Sequence, residues 1–204
     1  YAIRVWGDVP LFTEPNEKYS TDLYKERTDK NYILRNVILE DLKKAEELMD
    51  KTNNKERKRI SIYGVWAIMA DVYMWLEEYN LAAQTIDKMS GYTTKELIFV
   101  VHFDMDEVGS SGYSYMYQWF TGSGNRAAVL SDAILEKFSD DDLRKAYTTQ
   151  YYQNGWELNK FIGGTISTTL NKTCEVAYPI YRYSDMILLQ AEARARMGKW
   201  EEAL

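Results

Sequence analysis

Residues 63–89, "YGVWAIMADVYMWLEEYNLAAQTIDKM", decide the fold. Beginning one residue earlier, Ile62, Trp66, Met69, Ala70, Tyr73 and Leu76 recur at steps of three and four, the spacing that lines up one face of an α-helix. "EEYN" interrupts the pattern. A second, shorter helix succeeds it, with Ala82, Ile86 and Met89 inward and Gly91 as its stop. Two antiparallel helices joined by a tight turn approach closely only where a small residue faces a large one. The stretch therefore predicts a packed helix pair.

Its register is that of the tetratricopeptide repeat: Trp66, Met69, Ala70 and Tyr73 on the first helix, then Tyr79, Ala82 and Ile86 on the second. Near the end of the chain the theme returns, with Ala191 as the small residue, Gly198 at the turn, Trp200 as the aromatic and Ala203 facing it. Tyr79 and Trp200 stand 121 residues apart, whereas tandem repeats of this kind recur every 34 or so. Something large is inserted between them. The expected organisation is mainly α, with tetratricopeptide-like helix pairs over 1–91, a loop-rich insert of short strands and helices over 92–178, and the start of a further helical repeat over 179–204. Upstream, Leu34, Ile38, Leu42, Ala45 and Met49 mark an amphipathic helix over 31–50. "KTNNKERKR" reads as a solvated connector after it. "YAIRVWGDVPLFTEP" opens on what reads as the last turn of a helix, closed by Gly7 and Pro10, and "GKWEEAL" stops before its apolar face is complete. The expectation is an internal fragment of a longer protein.

Within the insert, "ELIFVVHFD" reads as one extended segment. Ser131 is expected to cap a short helix, and Ser139 with "DDDL" resembles a capping box with Asp142 at the third helical position. The run "YYQNGWELNKFIGGTISTTLNKTCEVAYP" is too rich in Gly, Asn and Thr for helix and reads as loops with short strands. The unusual feature is "SSGYSYMYQWFTGSG", which packs five rings between glycine and serine clusters. An extended backbone would project Tyr113, Tyr115, Tyr117 and Trp119 on one face, beside Phe120. Tyr151, Tyr152 and Trp156 form a second exposed-looking set. Such rings suit a ligand with apolar C–H faces and hydroxyl rims, and sugars fit that description. The competing reading packs the rings of the loop onto the helical body. Trp66, Tyr73 and Trp200, by contrast, read as core.

Composition excludes several function classes. A net charge of −6 without a basic stripe argues against nucleic acid, and no apolar run approaches the roughly 20 residues that span a bilayer as a helix. One cysteine, Cys174, and one histidine, His102, cannot build a disulfide framework or a zinc cluster from this chain alone. Cys174 reads as a small hydrophobe and His102, inside "FVVHFD", as a structural histidine. Asp140, Asp141 and Asp142 suit the positive end of a helix better than a cation site. "FDMDE" lacks the spacing of a calcium loop, and "NKT" is too loose a pattern to carry a glycosylation site. No nucleophile elbow or phosphate-cradling loop is present in the sequence, and nothing in it calls for a cofactor or a metal. With 17 tyrosines, the chain carries more rings than a core requires.

"YPIYRYSDMILLQAEARARMGKWEEAL" resembles the signature segment of the SusD/RagB family, in which a Pro-x-x-Arg-Tyr-x-Asp run leads into an Ala-Glu-Ala helix. Pro179, Arg182, Tyr183, Asp185, Ala191, Glu192 and Ala193 are the matching positions. "VWGDVPLFTEP" is similar to the family's earlier "GDVPL" turn, and the 63–89 stretch to its central repeat helix. The resemblance implies a non-catalytic lipoprotein on the outer face of the outer membrane of a Bacteroidetes-type bacterium. It would capture oligosaccharides for a SusC-like TonB-dependent transporter, held by a lipid anchor outside this chain. Family ligand contacts obey no fixed motif, so the site assignment (Tyr113, Tyr115, Tyr117, Trp119, Tyr152 and Trp156) rests on the rings themselves. Two other readings stand beside it: a helical-repeat scaffold for peptides or proteins, and a carbohydrate-active enzyme.

Overall fold

α4 (Ile62–Trp75) is apolar around its whole circumference, which suits a helix covered on more than one side. One flank buries Val65, Met69, Val72 and Tyr73 against Ala82 and Ala83 of α5 (Tyr79–Asp87). Another buries Ala67 and Ala70 with Ile86, Met89 and Ile98. Ser61 caps the helix by accepting from Gly64 N, and the turn to α5 passes through Glu77 at φ 60°, the one non-glycine positive φ among the described residues. Trp66 and Tyr79 pack against the core while partly buried. The helix pair thus has the expected register.

The computed structural model describes residues 1–15, 24–49, 60–90, 96–102, 129–152, 155–158 and 177–203. It divides into two units, one of residues 1–99 with 181–204 and one of residues 100–180. The first unit begins with α1 (Ala2–Trp6), closed by Gly7 at φ 70°. The "GDVPL" turn then has a local explanation. Asp8 Oδ1 accepts from Lys30 N at 2.9 Å, and Val9 O accepts from Thr28 N at 2.9 Å, so the turn holds the entry to the next helix. That entry is α2 (Lys30–Ile33), whose own cap, Asp29, accepts from Tyr32 N.

The amphipathic helix expected over 31–50 is present with one departure. Between α2 and α3 (Leu39–Leu48) lies a π-helical turn, Leu34–Ile38, in which Leu39 N donates to Leu34 O. One extra residue in the turn rotates the faces of α2 relative to those of α3. Ile33, Leu34 and Leu39 are consequently the buried positions, while Ile38, Leu42 and Ala45 are only partly covered. Glu46 of α3 accepts from Trp66 Nε1 and from Lys88 Nζ, both at 2.8 Å, joining three successive helical segments.

β1 (Leu97–His102) is the expected extended segment and neighbours β4 (Ala177–Arg182) in a two-stranded sheet. From β4 the chain enters α8 (Tyr183–Arg196), which docks on α5. Asp87 of α5 accepts from Gln190 Nε2 at 2.6 Å and from Arg194 Nη2 at 3.3 Å. The Pro-x-x-Arg-Tyr-x-Asp run is the joint between these elements. Asp185 accepts from Arg182 N at 3.2 Å and from its Nη2 at 2.9 Å, closing the first turn of α8. Two expectations need correction here. The fully buried small residue of α8 is Ala193, whereas Ala191 is half-buried, because α8 turns Met186 and Ala193 toward the core. Trp200, expected in the core, lies 66% exposed in this chain, at the start of the one-turn helix α9 (Trp200–Ala203), which packs on α8.

The second unit contains α6 (Asp132–Leu135), α7 (Leu143–Thr148), β2 (Thr149–Tyr152) and β3 (Gly155–Leu158). Ser131 occupies the cap position of α6, yet its side chain makes no capping bond. The expected capping box at Ser139 is also displaced. α7 starts three residues later, with Asp142 as its cap. Asp has the same short acceptor as Ser and stands nearer the first free amides.

Candidate functional site

The second ring set is built from the chain upward by α7 and the hairpin at its C-terminal end. Asp142 Oδ1 accepts from Arg144 N at 2.9 Å, and the Arg144 guanidinium grips the same carboxylate, with Nη2 to Oδ2 at 2.6 Å. That grip holds the Asp142 carboxyl below the ordinary aspartate range. At the other end of α7, Thr149 Oγ1 donates to Lys145 O at 2.8 Å and is buried as the chain turns into β2. β2 then pairs antiparallel with β3, placing Thr149 opposite Leu158, Gln150 opposite Glu157, Tyr151 opposite Trp156 and Tyr152 opposite Gly155.

Side chains alternate across a strand, so Tyr151 and Trp156 share one face and Glu157 belongs to the other. Half-buried hairpins ordinarily turn the apolar face inward. This one buries residues on both faces, Thr149 on the face of Tyr151 and Glu157 on the other. Glu157 is 1% exposed, while Tyr151 is 63% exposed and Trp156 is partly open to solvent. The two rings meet edge to face, with centroids 5.5 Å apart and planes at 73°. Tyr147, on α7, adds a further ring at 76% exposure. A carboxylate taken out of water costs free energy unless it is hydrogen-bonded or paired, and Glu157 has an interaction partner. Tyr151, left largely in water, gains little of the burial that makes aromatics useful in a core, whereas Trp156 is mostly covered. An exposed tyrosine against a partly covered tryptophan, on a strand pair that buries a carboxylate, is therefore the unusual feature of this unit.

Of the residues assigned from sequence, Trp156 stands in this pair and Tyr152 lies one register position nearer the turn. Tyr113, Tyr115, Tyr117 and Trp119 lie outside the described residues, as do Phe120 and Cys174. Trp156's ring partner is Tyr151, which the sequence places in an exposed set without marking it as a contact. Strand alternation in "GWEL" joins Trp156 to Leu158 and would by itself turn both inward. Among the described residues no group of three or more His, Cys, Asp or Glu is arranged to hold a metal ion.

Comparison with known proteins agrees with this architecture. The model of the SusD family matches residues 114–204. The whole chain aligns with the SusD-like protein P38 of Formosa agariphila, at 25% identity over 269 residues and across 52% of that protein. Over residues 114–204 the chain is similar to the SusD family. It has the fold of a SusD superfamily protein from Parabacteroides distasonis, with TM-score 0.69 and 20% identity, covering 100% of this chain and 55% of the other. It is similarly close to a SusD-like carbohydrate binding protein from Bacteroides vulgatus, with TM-score 0.67 and 18% identity, covering 100% and 48%. The chain thus spans about half the length of the relatives it matches.

Proposed function

We propose that this chain is part of a SusD-family protein, a non-catalytic lipoprotein on the outer face of the outer membrane. It captures oligosaccharides and passes them to a SusC-like TonB-dependent transporter. The observation that carries the reading is the hairpin, which buries Glu157 and leaves Tyr151 exposed against a partly open Trp156. Rings in that position serve a ligand whose C–H faces stack on them and whose hydroxyls reach the phenol and indole polar groups. The name of the Bacteroides vulgatus relative, a carbohydrate binding protein, supports the same ligand class. Residues 92–178 bear the ligand surface in this proposal, with Trp156 and Tyr152 as contacts. Tyr113, Tyr115, Tyr117 and Trp119 complete the set. Among the described residues no helix is long and apolar enough to cross a membrane, and in this proposal a lipid anchor supplies the attachment.

The test is tryptophan fluorescence of the full-length protein titrated with host and plant oligosaccharides, with calorimetry on any ligand that responds. Saturable binding of one glycan class, lost in Trp156→Ala or Trp119→Ala and kept in Trp66→Phe, is the expected result. Absence of binding throughout the panel, or binding indifferent to both alanine variants, refutes the assignment.

A further inference from the structure

We propose that the first unit carries a clasp between residues 96–98 and 181–186, which keeps the helical body folded while α7, β2 and β3 come apart. Two residues form its apolar part. Ile98 of β1 and Met186 of α8 are 4% and 2% exposed, and both lie in one buried cluster with Ala67 and Ala70 of α4. Tyr181 and Tyr183 pack against the same cluster. The chain thus leaves this core after Ile98 and returns to it by Met186, with the whole second unit in between.

Hydrogen bonds fasten the same two places. A helix leaves its first amides without partners of its own. In α8, the first of these finds an acceptor from the far side of the second unit: Glu96 O accepts from Tyr183 N at 2.8 Å. The Glu96 carboxylate also accepts from the Ser184 hydroxyl, one residue further along α8. One residue before the helix, Tyr181 Oη donates to Asp71 Oδ2 of α4 at 2.5 Å, and the Arg4 guanidinium binds the same carboxylate. Arg4, Asp71, Glu96, Ile98, Tyr181, Tyr183, Ser184 and Met186 all belong to the first unit. Loss of α7 and the β2–β3 hairpin therefore removes none of these contacts. Proteins open locally at less than the global cost, in contiguous cooperative units. The clasp marks where one such unit ends, and it does not depend on what residues 100–180 bind.

The experiment is amide hydrogen exchange of the full-length protein, read by mass spectrometry in rising urea below the global transition. Amides of α7, β2 and β3 should exchange faster at urea concentrations that leave those of α4, α5 and α8 unchanged. This first comparison needs no variant. In a Tyr181→Phe, Ser184→Ala double variant, the first turn of α8 should exchange about tenfold faster, because two hydrogen bonds are lost, while α4 and α5 keep their rates. Loss of protection in α8 together with, or ahead of, α7, β2 and β3 overturns the clasp. So does a double variant whose first α8 turn exchanges at the original rate.

Discussion

Single residues explain two short motifs of this chain. In the Pro-x-x-Arg-Tyr-x-Asp run, Asp185 commits its carboxylate to Arg182, accepting from the backbone N and the guanidinium across the strand-to-helix joint. The same contact raises the pKa of Arg182. These residues secure the first turn of α8, and a ligand role is not needed to account for them. Asp185→Ala should lower stability by about 1 kcal/mol, the usual loss for a helix cap, with Asp185→Asn recovering part of it. Urea unfolding of the variants measures both. Asp8 plays a similar part in the "GDVPL" turn, where it accepts from Lys30 N.

At the scale of elements, the β2–β3 hairpin makes a prediction opposite to the usual rule that aromatic truncation hurts more than loss of a charge. Glu157→Ala should destabilise by about 2 kcal/mol, because it removes the interaction of a fully buried side chain and leaves its space empty. Tyr151→Ala should change stability by about 1 kcal/mol or less, since its ring is largely solvated already. Thermal unfolding of the two variants side by side decides the order. The same contrast shows what is legible in the sequence and what is not. α4 and α5 are legible because Met69, Ala70, Tyr73, Ala82 and Ile86 obey one helical period and are buried by it. The π-helical turn at Leu34–Ile38 is not, since one extra residue defeats a fixed period and moves burial to Ile33 and Leu39. Trp200 looks like Tyr79 from its spacing, but spacing does not reveal how many helices cover a face. In the hairpin, alternation separates Trp156 from Glu157 without saying which faces inward. That choice belongs to long-range packing.

In the molecule as a whole, the first unit is stitched from distant parts of the chain. Asp71 of α4 accepts from Tyr181 Oη at 2.5 Å and also from the Arg4 guanidinium. Burial, and then the bond to Asp71, raise the Tyr181 pKa well above the ordinary tyrosine value. A raised pKa means that the folded state keeps a proton the unfolded chain gives up. The contribution is intact below about pH 10 and is lost progressively as pH rises above it toward the folded pKa. Tyr181→Phe should flatten that alkaline decline while lowering stability near neutrality by about 1 kcal/mol for the lost bond. Denaturant melts at neutral and alkaline pH test the pair of effects.

Met186 and Ala193 enter the core of the first unit only after the chain has passed through residues 100–180. For that unit, the intervening segment is a loop whose ends must be brought together. The entropy of closing a loop grows with the logarithm of its length, so doubling the segment would cost the helical body only about 0.6 kcal/mol. Natural selection is thus free to lengthen, shorten or rewrite residues 100–180 without unfolding the helical frame. A lineage can remake that segment and keep its scaffold.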